Sequence, residues 1–178
     1  MTSKHFYSWQ DIDNATNKFV TDMYIDMWKP DYIIGLTRGG LPLAVALSNK
    51  IDVPMKTLDV SFRDGTSEGP ESNLQMAQDA FGQFQQGVGY EGKNILIIDD
   101  INDTGATFQW IKDDWMKLHN DKNGMLGDES SWDSVWGENV RFAVLTENLS
   151  SEFSGVDYWA HEVNKAEEDV WLVYPWEM

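Results

Sequence analysis

Residues 94–107 read Asn-Ile-Leu-Ile-Ile-Asp-Asp-Ile-Asn-Asp-Thr-Gly-Ala-Thr. No other stretch limits the possible folds as much. Ile95 to Ile98 is a continuous apolar run, which marks a strand buried on both faces. Asp99 and Asp100 follow at once, where that strand is expected to end. Asp103-Thr104-Gly105-Ala106-Thr107 then supplies a turn, two hydroxyls and a glycine ahead of a helical pattern. In open α/β sheets, ligands collect at the carboxyl ends of the strands. A helix start with free N–H groups and a glycine is a place where phosphate can sit.

The same unit occurs earlier in the chain. Tyr32 to Leu36 reads as a second buried strand, Thr37-Arg38-Gly39-Gly40 as a small polar loop, and Leu41 to Lys50 as a helix with Pro42 in its first turn. Paired glycines let a ligand approach the backbone closely. Arg38 adds a fixed positive charge. Taken alone, this segment is equally well read as a plain strand-to-helix turn whose arginine pairs with a surface carboxylate.

The remaining elements follow from periodicity. Ser8 and Asp11 form a capping-box pattern, and Ile12, Ala15, Phe19, Met23 and Met27 make one apolar stripe that Pro30 is expected to close. Met55–Val60 and Val140–Leu145 read as strands, and Tyr158–Ala160 and Val170–Tyr174 as short late strands or extended segments. Phe108, Ile111, Trp115 and Leu118 continue a helix beyond the ligand-type loop. Residues 64–92 are poor in apolar residues and read as a long mobile loop preceded by Arg63, with a weak helical stretch at Leu74–Phe84. Residues 119–139 read as a surface excursion. Met125, Trp132 and Trp136 within it suit a subunit contact or a local mini-core equally.

Alternation of strands and helices predicts an α/β fold: one domain over residues 1–178 with a parallel central sheet flanked by helices and right-handed crossovers. Both glycine-containing loops would then lie on the same edge of the sheet. Composition narrows the function. A net charge of −17 disfavours nucleic-acid binding by a basic face, and the absence of cysteine removes thiol chemistry and disulfides. No apolar run approaches the roughly 20 residues of a membrane span. The N-terminus lacks a signal-peptide pattern, so no membrane association and a cytoplasmic location are expected.

The two loops define a ligand by its chemistry. Asp99 and Asp100 suit sugar hydroxyls, or a magnesium ion held partly through water. Thr104, Gly105, Ala106 and Thr107 suit a monophosphate, and Arg38 with Gly39 and Gly40 suits a second anionic group. A phosphorylated sugar with hydroxyls in its middle and a second phosphate at its far end meets all three. Neither a Walker loop nor a dinucleotide fingerprint is present.

Residues 95–107 resemble the binding motif of the type I phosphoribosyltransferases, which use 5-phosphoribosyl-1-diphosphate (PRPP). Tyr32–Gly40 resembles that family's strand and pyrophosphate loop. Ser8-Trp9 and Trp171-Leu172-Val173-Tyr174-Pro175-Trp176-Glu177 resemble the ends of its purine branch, the xanthine, hypoxanthine and guanine enzymes. The resemblance implies a small hood from the terminal segments, about 1–10 and 150–178, and a homo-oligomer. It implies transfer of the phosphoribosyl group from PRPP to a purine with magnesium as cofactor, giving a nucleoside 5′-monophosphate and pyrophosphate. Asp99 and Asp100 would bind the ribose hydroxyls, and Asp103 through Thr107 the 5′-phosphate. Thr37, Arg38, Gly39 and Gly40 would bind pyrophosphate, often across a cis peptide. Asp103 would face N7 of the base as a general base and Arg38 would stabilise the leaving group. Trp171 would stack on the base, and the Leu172 backbone would meet its edge. The 64–92 loop would close over the reacting centre.

One position departs from the family. The 6-oxopurine enzymes carry a lysine after the penultimate strand that contacts the purine O6, and the matching place here holds Glu147. Three explanations stand: the alignment slips, Lys165 supplies the cation, or the base is a different one. Two further readings therefore accompany the first. One is a PRPP- or nucleotide-binding regulatory module without turnover, and the other is a phosphoribosyltransferase for a non-purine base.

Overall fold

The computed structural model describes residues 3–60, 73–87, 89–123 and 132–178. Its centre is a five-stranded parallel sheet. The strands are β2 (Tyr32–Thr37), β3 (Met55–Asp59), β6 (Ile95–Asn102), β7 (Val140–Asn148) and β8 (Tyr158–Val163), in the spatial order β3-β2-β6-β7-β8. The expected α/β architecture is therefore present. β1 (Ser3–Phe6) and β9 (Val170–Val173) pair in parallel as a separate two-stranded sheet, and β4 (Gln83–Gln85) and β5 (Gly89–Glu91) form an antiparallel hairpin.

Side-chain alternation divides the core into two layers. Ile34, Ile97, Phe142 and Val144 face one side of the sheet, while Ile33, Leu96, Ile98 and Ala143 face the other. On the first side pack α3 (Leu74–Phe81) and α4 (Ala106–Asn123), through Ala77, Phe81, Phe108, Ile111 and Trp115. On the second pack α1 (Trp9–Ile25) and α2 (Gly40–Ile51), through Ile12, Phe19, Leu43 and Leu47. Ile95 to Ile98 are fully buried, and each such side chain contributes roughly 1.5–3 kcal/mol. A strand covered by helices on both faces must be apolar at every position, which accounts for the unbroken run.

The α1 capping box forms as read. The Asp11 N–H donates to Ser8 Oγ at 3.2 Å, and the Ser8 N–H donates to Asp11 Oδ2 at 2.7 Å. Ile12, Ala15, Phe19 and Met23 are buried, but Met27 is not part of the stripe. The helix ends at Ile25, ahead of Pro30, and Met27 has φ 51° and is 94% exposed. The apolar period runs on for one residue after the helical hydrogen bonds have stopped.

The long loop and the surface excursion both contribute to the core, the first through the helical stretch read at Leu74–Phe84, which forms as α3 over Leu74–Phe81. From 64–92, residues 64–72 and 88 lie outside the described residues, as does Arg63. Within the described part α3 buries Met76, Ala77, Ala80 and Phe81. In 119–139, residues 124–131, including Met125, lie outside the described residues. His119 and Trp132 are buried, and Trp132 stacks on Trp136 at 5.2 Å and meets Phe81 at 5.2 Å. Aromatic packing against α3 thus makes Trp132 core, with Trp136 packed against it, as the mini-core reading expects, while Asp133, Ser134, Gly137 and Glu138 beside them are exposed. Among the described residues no helix is long and apolar enough to cross a membrane.

The terminal sheet is fastened to the end of β7. The Tyr7 and Thr146 hydroxyls lie 2.9 Å apart in hydrogen-bonding contact, and Tyr7 stacks on Tyr174 at 5.3 Å, which stacks in turn on Trp176 at 5.1 Å. At the start of β8, Asp157 Oδ2 accepts the Phe142 N–H at 2.8 Å. Burial pushes the Asp157 carboxyl up to about 6; the Phe142 N–H and the nearby Arg141 guanidinium oppose this shift.

Trp132→Ala should lower the unfolding free energy by about 3–5 kcal/mol, the usual cost of truncating a fully buried tryptophan, as read by urea denaturation. A second expectation follows from Asp157. Because its folded-state pKa lies above the ordinary carboxylate value, the folded protein binds this proton more tightly than the unfolded chain does. Its stabilising effect is then lost as pH rises through the interval from about 4 to 6. Asp157→Asn keeps the acceptor oxygen and removes the titration. The melting temperature of the variant minus that of the parent should therefore increase across that interval and level off above it.

Candidate active site

The carboxyl ends of β2 and β6 lie side by side, with Gly35 opposite Ile98 in the parallel register. The two loops read from the sequence thus meet on one edge of the sheet. Thr37 is anchored sideways, its hydroxyl donating to Asp59 Oδ1 at 2.9 Å. The Thr37–Arg38 peptide is cis. The Gly39 backbone runs so close to Asp100 that a Cβ there would collide with the Asp100 carboxylate. Glycine allows this approach with the carboxylate where it stands; a side chain here would displace it. Gly40 is buried against the Ile98 carbonyl at the start of α2.

The two acids are not placed after the strand, as the sequence suggested, but within it. β6 continues to Asn102, because β7 continues to pair with it through Ile101–Thr146 and Asn102–Glu147. Asp99 and Asp100 are half-buried, and Asp99 Oδ1 accepts the Asp100 N–H at 2.9 Å. The loop that follows turns at Gly105, which has φ +89° and lies against Phe153. Thr104 Oγ1 accepts the Ala106 N–H at 3.3 Å at the start of α4. A cavity of about 520 Å³ opens here. Asp103, Thr104, Gly105 and Ala106 line one side, with Asn148 and Phe153 among the residues facing them. Thr107 lies half-buried in the first turn of α4.

Asp103 is held from two directions. Lys165 Nζ lies 3.0 Å from its Oδ2, and Asn148 Nδ2 donates to its carbonyl oxygen at 2.9 Å and to its Oδ1 at 3.3 Å. Lys165, set beside Glu147 as a possible cation on sequence grounds, therefore reaches the ligand loop. Asn148 and Asn102 escaped sequence reasoning. The one available signal was the presence of an amide at the end of each strand, after an apolar run and a short acidic or polar stretch. Asn102 is buried, its Nδ2 donating to Glu147 Oε1 and to the Phe153 carbonyl, both at 2.9 Å.

Glu147 thus turns one carboxylate oxygen to Asn102, while Oε2 is buried with no hydrogen-bond partner among the described residues. Burial holds its carboxyl above the usual range; the Asn102 bond opposes this and Glu162 adds to it. Trp171 is 63% exposed, whereas its neighbour Leu172 is buried against the layer formed by α1 and α2.

The sequence matches the phosphoribosyl transferase domain model over residues 4–171. The chain belongs to the type I phosphoribosyltransferase family. Purine enzymes dominate its relatives. It is 25% identical over 148 residues to the xanthine-guanine phosphoribosyltransferase of Cereibacter sphaeroides, covering 82% of this chain and 68% of that protein. It is 29% identical over 114 residues to the hypoxanthine-guanine phosphoribosyltransferase of Streptococcus pyogenes, covering 62% of this chain and 59% of that one. A purine phosphoribosyltransferase from Pyrococcus horikoshii superposes with a TM-score of 0.61 at 26% identity, covering 98% of this chain and 95% of that one. A hypothetical protein from Neisseria gonorrhoeae with bound ppGpp has the same fold, with a TM-score of 0.67 at 20% identity and coverage of 100% and 91%.

The phosphoribosyltransferase loop makes its own stability demand. Gly105→Ala forces a side chain into a left-handed conformation and against Phe153 Cβ at 2.5 Å, so it should cost about 1–3 kcal/mol. A lowered urea midpoint with an unchanged m-value is the expected observation.

Proposed function

We infer that this chain transfers the 5-phosphoribosyl group of PRPP to a nitrogenous base, a purine by the weight of its relatives. The products are a nucleoside 5′-monophosphate and pyrophosphate. The observation that carries this reading is the meeting of two loops of opposite chemistry, with the Gly39 backbone laid against the Asp100 carboxylate. One loop brings Arg38 and backbone donors for a diphosphate. The other brings carboxylates for ribose hydroxyls and a turn at a helix start for the 5′-phosphate.

In the reaction the bond from ribose C1 to the pyrophosphate oxygen breaks and a bond from C1 to a base nitrogen forms. Positive charge develops on the ribose ring and negative charge on the leaving group. Thr37, Arg38, Gly39 and Gly40 hold the pyrophosphate, and the Arg38 guanidinium offsets its growing charge. Asp99 and Asp100 fix the ribose through its hydroxyls. Asp103, Thr104, Gly105, Ala106 and Thr107 anchor the 5′-phosphate, so that the sugar is gripped on both sides of C1. Asp103 takes the proton that the base nitrogen gives up. Trp171 offers an exposed aromatic face for stacking, and Leu172 offers its backbone to the base edge.

The acids also fit magnesium. No cluster of three or more acidic or histidine ligands occurs among the described residues, and magnesium characteristically takes one or two carboxylates and completes its shell with water and substrate phosphate. Asp99 and Asp100 would hold it, in part through water, and when bound it supplies charge neutralisation to the diphosphate. A non-purine acceptor is the second reading, favoured by one observation: the end of β7 presents Glu147, turned toward Asn102, where a lysine was expected.

Pyrophosphate release from PRPP and magnesium, measured against a panel of purines and pyrimidines, tests the reading. Release with at least one 6-oxopurine is expected. Release with pyrimidines alone would establish the second reading, and PRPP binding without release for any base would leave a regulatory module. Asp100→Asn should raise KM for PRPP by roughly tenfold or more, as loss of a charged hydrogen bond implies; unchanged kinetics would remove Asp100 from the ribose site.

A further inference from the structure

The side chain of Asn148 ties three separate parts of the chain together. It lies at the end of β7 and is 5% exposed. Its Nδ2 donates to the carbonyl and to Oδ1 of Asp103 in the ligand loop. Its Oδ1 accepts the Lys165 N–H at 3.0 Å, the Ser150 N–H at 3.3 Å and the Ser150 hydroxyl at 2.8 Å. Lys165 lies between β8 and β9 and returns its own ammonium to Asp103 Oδ2 at 3.0 Å. Both carboxylate oxygens of Asp103 are thereby engaged by groups that are themselves joined through one amide. The neighbouring amide repeats the device one layer down, as Asn102 links Glu147, the Phe153 carbonyl and the Ser151 hydroxyl.

We propose that Asn148 and Lys165 are positioning residues that clamp Asp103 in one orientation at the edge of the site. The proposal rests on the reading of Asp103 as the group that receives the base proton. The physical case is one of geometry. A short carboxylate on a turn has free rotation about two bonds, and a proton acceptor is effective only within hydrogen-bond reach of its donor. A buried amide supplies fixed donors to one oxygen, and the ammonium supplies charge to the other. Lys165 comes from the loop that leads to β9 and Trp171. The clamp therefore also sets the distance between the proton acceptor and the segment assigned to base stacking.

The distinction from a merely structural contact lies in the kinetics. Lys165→Met and Asn148→Ala should lower kcat by about ten- to a hundredfold, the scale on which misplacement of a reacting group acts, with a smaller rise in KM for PRPP, because the same loop anchors the 5′-phosphate. Lys165→Arg should restore most of the loss. Combined with Asp103→Asn, Lys165→Met should add almost nothing, because the group it positions is already disabled. Multiplicative losses in the double variant, or a loss confined to KM, would overturn the proposal. A second measurement needs no turnover. Deuterium exchange of the amides at 103–107 should accelerate in Lys165→Met and Asn148→Ala while β2 and β6 stay protected; unchanged exchange there would overturn the clamp. Accelerated exchange in a protein that releases no pyrophosphate would leave the clamp standing and overturn the transferase reading.

Discussion

The structure depends on one constraint: β6 is hydrogen-bonded in parallel on both edges, to β2 and to β7, and covered by helices on both faces. A strand so enclosed has no solvent side, so Ile95–Ile98 must be apolar throughout. The first positions able to carry charge are those where helix coverage ends but strand pairing persists. Asp99 and Asp100 occupy them. Because β6 and β7 stay paired as far as Asn102 and Glu147, the two acids are carried by the sheet backbone and not by a loop. The carboxylates of the proposed site would therefore sit on a strand paired along both edges, the kind of support a precise site needs.

That constraint explains what was readable in advance. Apolar runs followed by small polar residues identified β2 and β6, and their parallel pairing placed both loops on one edge. The Ser8–Asp11 cap was legible because its hydrogen bonds span three residues. Features that depend on distant partners were not legible. Trp132 sits in a polar stretch, and the aromatic partners that make it core include Phe81 on α3, fifty-one positions earlier. The strand boundary at Asn102 was invisible because it depends on how far β7 extends. Asn148 gave no local sign of its role, since its partners Asp103 and Lys165 stand forty-five and seventeen residues away.

Charge poses a different problem, since a chain with net charge −17 is assigned a ligand with two anionic ends. Many of the few cations are already engaged: Lys18 pairs with Asp22, Lys50 with Asp13, Lys56 and Lys93 with Asp79, and Arg141 with Asp26. Screening limits the long-range cost. At physiological ionic strength, exposed charges beyond about 8 Å contribute little. What would matter for the proposed ligand is the local field, to which the Arg38 charge and the backbone N–H dipoles at the starts of α2 and α4 would contribute. Fixed dipoles of this kind add no net charge and need no reorganisation when the leaving group forms.

The same reasoning bears on Lys165. An ammonium committed to Asp103 is of little use as a general attractor of phosphate. It is of use in keeping a carboxylate tolerable beside a phosphate site, where two anions would otherwise repel at short range. With Lys165 in place, the Asp103 ion pair would present little net charge to a 5′-phosphate in the proposed site, yet keep an oxygen lone pair for a proton donor. Glu147 shows the other solution to the same difficulty: its carboxyl is drawn back onto Asn102, and burial pushes it toward its neutral form. One acid at the strand ends is neutralised by a partner and one is favoured toward protonation by its surroundings. On the proposed reading, Asp99 and Asp100 are the carboxylates that would meet the sugar and its metal ion.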